Sequence, residues 1–180
     1  LSRALVPAPA ARLAFEALTP AHAAELAPFL ADPALWQWIP RDPPSPADVA
    51  RRFAVISVVE RPNGDRWLNW VVRRRADGQA VGQVEVTAHP DGRAELAYFV
   101  FAPFQRNGYA REACAATLAC LRDDGIGRVE ASVDTRNEAS QRLLRALGFR
   151  REGEPVAADP IAGTPAFDDR YALDFAKSSA

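Results

Sequence analysis

The chain has 180 residues, 48% hydrophobic and 25% charged, with a formal net charge of −1. That is ordinary for one globular domain with a real core. Near-neutrality excludes a global field drawing the chain to nucleic acid or an acidic membrane, so any anion site must be built locally. No apolar run approaches membrane-spanning length, and residues 1–10 lack the basic start of a signal peptide. The expected location is cytoplasmic, with neither nucleic acid nor membrane as a partner.

Residues 1–10 are rich in alanine and proline and are expected to form a loose arm before a single domain over 11–176. Ala11 to Leu18 alternates, with Leu13 and Phe15 on one face, and predicts a first strand. Thr19-Pro20 is a helix start, a cap residue followed by proline, and the helix is expected to reach Ala31 with a bend at Pro28. Asp32 to Pro44 is a proline-dense loop carrying Trp36 and Trp38. Ser45-Pro46-Ala47-Asp48 opens a second helix, expected to run to about Val59.

Three strands follow: Trp67 to Arg75, Ala80 to Ala88, and Arg93 to Phe101. Asp77-Gly78 and Asp91-Gly92 mark the hairpin turns between them. Ala110, Ala113, Cys114, Thr117, Leu118 and Leu121 then fall on one helical stripe. Arg128 to Val133 is the next strand, and Asn137 to Leu147 a short helix closed by Gly148. A sixth strand starts at Phe149–Gly153. Residues 154–166 read as irregular, and Tyr171, Leu173 and Phe175 alternate in a last strand. Cys114 and Cys120 lie on roughly opposite faces of one helix and cannot pair there. With His22 and His89 far apart in the chain, no metal cluster is suggested.

The stretch richest in chemistry is Gln105-Arg106-Asn107-Gly108-Tyr109-Ala110. It passes a buried strand into a helix N-terminus. Such a loop points free N–H groups outward, and the helix dipole adds positive potential, so a phosphate is its natural guest. The bland alternative is a helix start at which Gly108 only eases a turn. No Gly-x-x-x-x-Gly-Lys-Ser/Thr is present, and Gly125-Ile126-Gly127 precedes a strand instead of following one. Neither the P-loop nor the dinucleotide fingerprint fits.

Gln105-x-x-Gly108-x-Ala110 resembles the pyrophosphate-cradling signature of the GNAT acetyltransferase superfamily. Asn137-Glu138-Ala139-Ser140, Leu143-Leu144 and Leu147-Gly148-Phe149 resemble a segment of RimJ/RimL-type N-acetyltransferases, as does Asp32-Pro33-Ala34-Leu35-Trp36. The matches keep that family's order and spacing. The resemblance implies an α/β fold with a mixed, largely antiparallel seven-stranded sheet splayed between strands four and five, and about four helices. It also implies acetyl-CoA as co-substrate, without a metal, and an amine acceptor: a protein N-terminus or a small molecule.

By the same resemblance the amides of Arg106 to Arg111 hold the donor, with the arginine side chains of Arg106 and Arg111 adding charge-assisted bonds. A bulge at Phe99, Val100 and Phe101 exposes backbone groups to the pantetheine arm. Asn137 bonds the acyl or pantetheine amides, and Ser140 protonates the leaving thiolate. Capping is the alternative for both residues. Glu95 is the candidate base and Glu85 a weaker one; a solvated carboxylate is the alternative. Trp36 and Trp38 wall the acceptor cleft or belong to the core. Where the family often has Gly-Tyr-Trp, this chain has Ala97-Tyr98-Phe99, which narrows the space slightly. No cysteine sits where a covalent relay needs one, so the expectation is direct attack in a ternary complex, in a monomer or homodimer. The alternative from another class is a silent acyl-CoA-binding sensor, which would release no free CoA in the presence of amines.

Overall fold

The structure, a computed structural model, describes residues 5–176. Its sheet contains β1 (Leu13–Ala17), β2 (Arg66–Arg74), β3 (Ala80–Ala88), β4 (Arg93–Val100), β5 (Arg128–Asp134), β6 (Arg150–Ile161) and β7 (Thr164–Asp174). The strand order is β1-β2-β3-β4-β5-β7-β6. The helices are α1 (Ala23–Leu30), α2 (Pro46–Ile56), α3 (Tyr109–Asp123) and α4 (Glu138–Ala146). The expected class, strand count and helix count therefore stand. Residues 1–4 of the expected arm lie outside the described residues. The Leu5 carbonyl accepts from the indole N–H of Trp70 at 2.9 Å.

Local chemistry sets the helix starts. The Ser45 hydroxyl accepts from the Asp48 amide, and Asp48 reaches back to the Ser45 amide, forming a reciprocal box behind Pro46. The first helical stretch departs from its prediction. Pro20–His22 is a 3-10 turn, and the α-helix starts only at Ala23, with Pro28 inside it. The second helix stops at Ile56, short of Val59.

The two sheet faces carry different partners. Phe29 of α1 stacks on Phe101 with ring centroids 4.8 Å apart, and Arg52 of α2 reaches Glu85 at 2.6 Å. So α1 and α2 cover the face that carries Glu85 and Phe101. Tyr98, of opposite parity in β4, meets Ser140 of α4 on the other face.

Two corrections concern strands. The segment 154–166 is not irregular: β6 continues through it and pairs with β7 across Ala162–Gly163, both residues at positive φ. This is the two-residue primed turn that suits strand twist. Pro155 and Pro160 fall within the two register shifts of β6, Glu152/Val156 and Ala158/Ile161. Edge strands tolerate proline at such interruptions, and β6 is an edge strand. The expected bulge in β4 is absent from its pairing with β3, which runs without interruption from Ala88↔Ala94 to Gly82↔Val100. The extra residue sits one strand away. Val72 pairs Gly82 and Arg73 pairs Ala80, so Val81 on β3 is left over.

The neighbouring Gly82 is fixed by space. A Cβ there would lie 2.2 Å from the Phe99 carbonyl oxygen. Gly82→Ala is expected to force β3 and β4 apart and destabilise by about 1–3 kcal/mol. Urea unfolding of the two proteins measures this; an unchanged midpoint would show that the strands yield freely.

Candidate active site

The loop after β4 is shaped by its own residues. A 3-10 turn at Ala102–Phe104, with Pro103 inside, ends the ladder. Gln105 donates from its amide to the Val100 carbonyl at 3.0 Å, and Asn107 donates to the carbonyls of Phe104 and Gln105 at 3.1 and 2.9 Å. These side chains brace the loop. Arg106 (φ 62°) and Gly108 (φ 77°) both take left-handed backbone, and Gly108 is the N-cap of α3 with no side chain to satisfy it. Among the described residues, the N–H groups from Arg106 to Arg111 donate to no acceptor in the chain. The dipole of the 15-residue helix α3 ends on the same spot.

All the residues from Arg106 to Arg111 but Asn107 line a cleft of about 410 Å³. Gln105, Arg106, Gly108, Tyr109, Ala110 and Arg111 line one end, and Asn137, Ala139, Ser140 and Leu143 the opposite wall. Tyr98, Phe99 and Val100 form the floor, and Trp38 lies at the rim. The structure thus gathers most of the predicted donor-site residues around one space. Phe101 stands apart. It is fully buried, and its N–H donates to the Val81 carbonyl at 3.0 Å, so neither its ring nor its amide faces the cleft.

Asn137 caps α4, its side-chain oxygen accepting from the Ser140 amide at 3.1 Å. That leaves the Ser140 hydroxyl free of capping duty. It lies 2.6 Å from the phenol oxygen of Tyr98. Burial pushes the Tyr98 pKa up, so the phenol stays protonated at any working pH. Tyr98 matches the tyrosine of the family's Gly-Tyr-Trp, a resemblance that assigns it no role. The signal was present in the alternation of Ala94, Leu96 and Tyr98, whose first two members are buried.

Glu95 and Glu85 lie elsewhere. Both line a second cavity of about 580 Å³, together with Ala97, Glu130, Arg128 and Tyr171. Glu95 is the last β4 residue paired with β5, opposite Glu130. It sits three residues before Tyr98 with opposite parity, ~10 Å along the strand. Its carboxylate is largely exposed, 3.5 Å from His89 Nε2. Glu85 is held by Arg52 at 2.6 Å and by Gln83 at 2.8 Å. Trp36 donates to the Leu30 carbonyl at 2.7 Å and packs on Phe99 with centroids 5.7 Å apart. It lines a smaller cavity with Glu85 and Ala97. The two tryptophans of the loop therefore serve different spaces.

Two arginines had no sequence signal. Arg12 binds the Glu112 carboxylate through Nε at 2.7 Å, reaches the Asn107 carbonyl at 3.0 Å, and lies 4.8 Å over the Tyr109 ring. Arg136 is held by Asp134, whose pKa it lowers, and lies 5.4 Å over the Trp38 ring. Among the described residues, no group of three or more His, Cys, Asp or Glu side chains is placed to hold a metal ion. None of the described helices is long and apolar enough to cross a membrane.

His89 Nδ1 lies 2.9 Å from Asp65, which raises the His89 pKa and is itself lowered. A raised histidine contributes stability that is complete below its unfolded pKa of about 6.5 and fades as pH rises through the folded value. Asp65 contributes above its unfolded value and loses that contribution as pH falls through its depressed one. The stability advantage of the native chain over His89→Gln should therefore be larger at pH 5.5 than at pH 8.5, as read by melting temperature. A pH-independent difference would remove the ion pair as its cause.

Residues 12–150 match the family described as Acetyltransferase (GNAT) domain. The uncharacterized N-acetyltransferase YoaA of Bacillus subtilis (strain 168) is 34% identical over 91 residues, which is 49% of this chain and 51% of that protein. The chain thus spans about half the length of that curated relative. The solved structures that share the fold include the following three. A RimL ribosomal L7/L12 α-N-protein acetyltransferase in complex with coenzyme A superposes with a TM-score of 0.83 at 16% identity, covering 94% of this chain and 98% of the other. A ribosomal-protein-S5-alanine acetyltransferase from Vibrio fischeri gives 0.81 at 19%, covering 97% and 100%. A spermidine N-acetyltransferase from Vibrio cholerae, in complex with CoA and spermine, gives 0.77 at 18%, covering 91% and 95%.

Proposed function

Because the chain belongs to the GNAT acetyltransferase domain family, we propose that it moves an acetyl group from acetyl-CoA to a primary amine by direct attack in a ternary complex. The observation that carries this reading is the row of unpartnered amides from Arg106 to Arg111, opening onto the same cleft as Asn137 and Ser140. Six amides and a helix terminus suit a pyrophosphate. The Arg106 and Arg111 side chains form no ion pair among the described residues and add charge to the same end. Beyond Glu95 the β5-facing edge of β4 has no ladder partner, which leaves backbone groups for the pantetheine arm and the thioester carbonyl. Cys114 is fully buried, with its thiol pushed up to about 12, and neither cysteine lines the cleft, which favours direct attack over a covalent relay.

Glu95 takes the amine proton through water, since it sits too far along β4 to touch a group at Tyr98. Ser140 donates to the sulfur as the carbon–sulfur bond breaks. The acceptor is a protein N-terminus or a small amine; the neighbouring folds include enzymes named for each class.

Acetyl-CoA at a hundredfold excess over its Kd should stabilise the fold by about 2.7 kcal/mol, read as a melting shift of several degrees. Gly108→Asp sets a carboxylate against the phosphates and should abolish that shift. An unchanged shift in this variant takes the loop out of the site. Free-CoA release across a panel of amines and peptides then separates an enzyme from a silent binder.

Glu95→Gln should lower kcat with little change in acetyl-CoA affinity. The deficit should narrow at higher pH, where free amine is plentiful. An equal deficit at every pH would confine Glu95 to structure or substrate binding.

A further inference from the structure

We propose that Tyr98 is a positioning residue that aims the Ser140 proton into the cleft. This rests on the acetyl-transfer reading above. The two hydroxyl oxygens are 2.6 Å apart, and neither has another partner among the described residues. Both residues line the donor cleft. Two hydroxyls carry two protons, and the bond between them uses one. The other O–H is left for whatever enters the cleft.

Acidity decides which proton that is. A phenol is a stronger acid and a poorer acceptor than an alcohol, so Tyr98 donates to Ser140 and the Ser140 proton stays free. The Ser140 backbone is already fixed, because its amide donates to the Asn137 side chain. Tyr98 fixes the remaining freedom, the rotation of the hydroxyl. When the carbon–sulfur bond breaks and its electron pair passes to sulfur, that sulfur meets an O–H aimed at it and polarised from behind. Without Tyr98 the rotor is loose, and Ser140 must be oriented at the moment of reaction.

The experiment compares Tyr98→Phe, Ser140→Ala and the double variant by single-turnover rate, acetyl-CoA Kd and melting temperature. Tyr98→Phe should slow the single turnover about three- to tenfold, the worth of one neutral hydrogen bond. Kd and melting temperature should stay near those of the native chain. In the Ser140→Ala background the tyrosine change should add no further loss. Full activity in Tyr98→Phe overturns the proposal. So do losses that multiply in the double variant, a rate loss explained by weaker acetyl-CoA binding, or full activity in Ser140→Ala. A native chain that binds acetyl-CoA but acetylates no amine overturns the transfer reading itself, and this proposal with it.

Discussion

The site depends on the place where β4 leaves β5. The two pair only from Arg93↔Arg128 to Glu95↔Glu130, although each strand runs on. Both can do so because each keeps its other neighbour. β4 stays laddered to β3 as far as Val100, and β5 to β7 as far as Asp134↔Asp168. The missing rungs belong to the gap alone, so opening it does not unravel the sheet. An opened strand edge attracts another extended chain. Here α3 begins just past the end of that edge, and Ser140 of α4 faces it through Tyr98.

Charge has to be placed with care in a chain whose net charge is −1. The loop presents backbone dipoles, which need no counter-charge. Glu112, in the first turn of α3, would work against a phosphate there. Arg12 removes the problem by binding that carboxylate through both its backbone amide and its guanidinium, at 2.6 and 2.7 Å. The same guanidinium bonds the Asn107 carbonyl. One arginine thus neutralises the wrong charge and braces the loop, which leaves Arg106 and Arg111 as the cations facing the cleft.

Local signals carried much of the fold. The ends of β3 at Ala80 and Ala88, the Ser45 cap and the α3 stripe follow from neighbouring residues. Each lies within a few positions of its prediction. Prediction failed where a long-range partner overrides local preference. β6 reads as broken because Pro155 and Pro160 interrupt it, and only its antiparallel run with β7 makes it a strand. The displaced bulge is similar, since an extra residue on β3 leaves no trace in local pattern. At the site, the loop and the Asn137–Ser140 segment were legible as motifs. Arg12 was not, because 95 residues separate it from the carbonyl it binds. Tyr98 lay in view, but its meaning depends on α4 placing a hydroxyl above it.

Strand alternation divides the side chains of β4 between two spaces. Tyr98 faces Ser140, whereas Ala97 and Phe99 face the side of Glu85 and Trp36. Ala97 lines both the larger cavity and the smaller one beside Trp36. The carboxylates around the larger cavity differ in their partners. Arg52 holds Glu85, and Arg128 binds both Glu130 and Glu152. Glu95 alone among them faces a histidine instead of an arginine. Glu95 stands where β4 and β5 part.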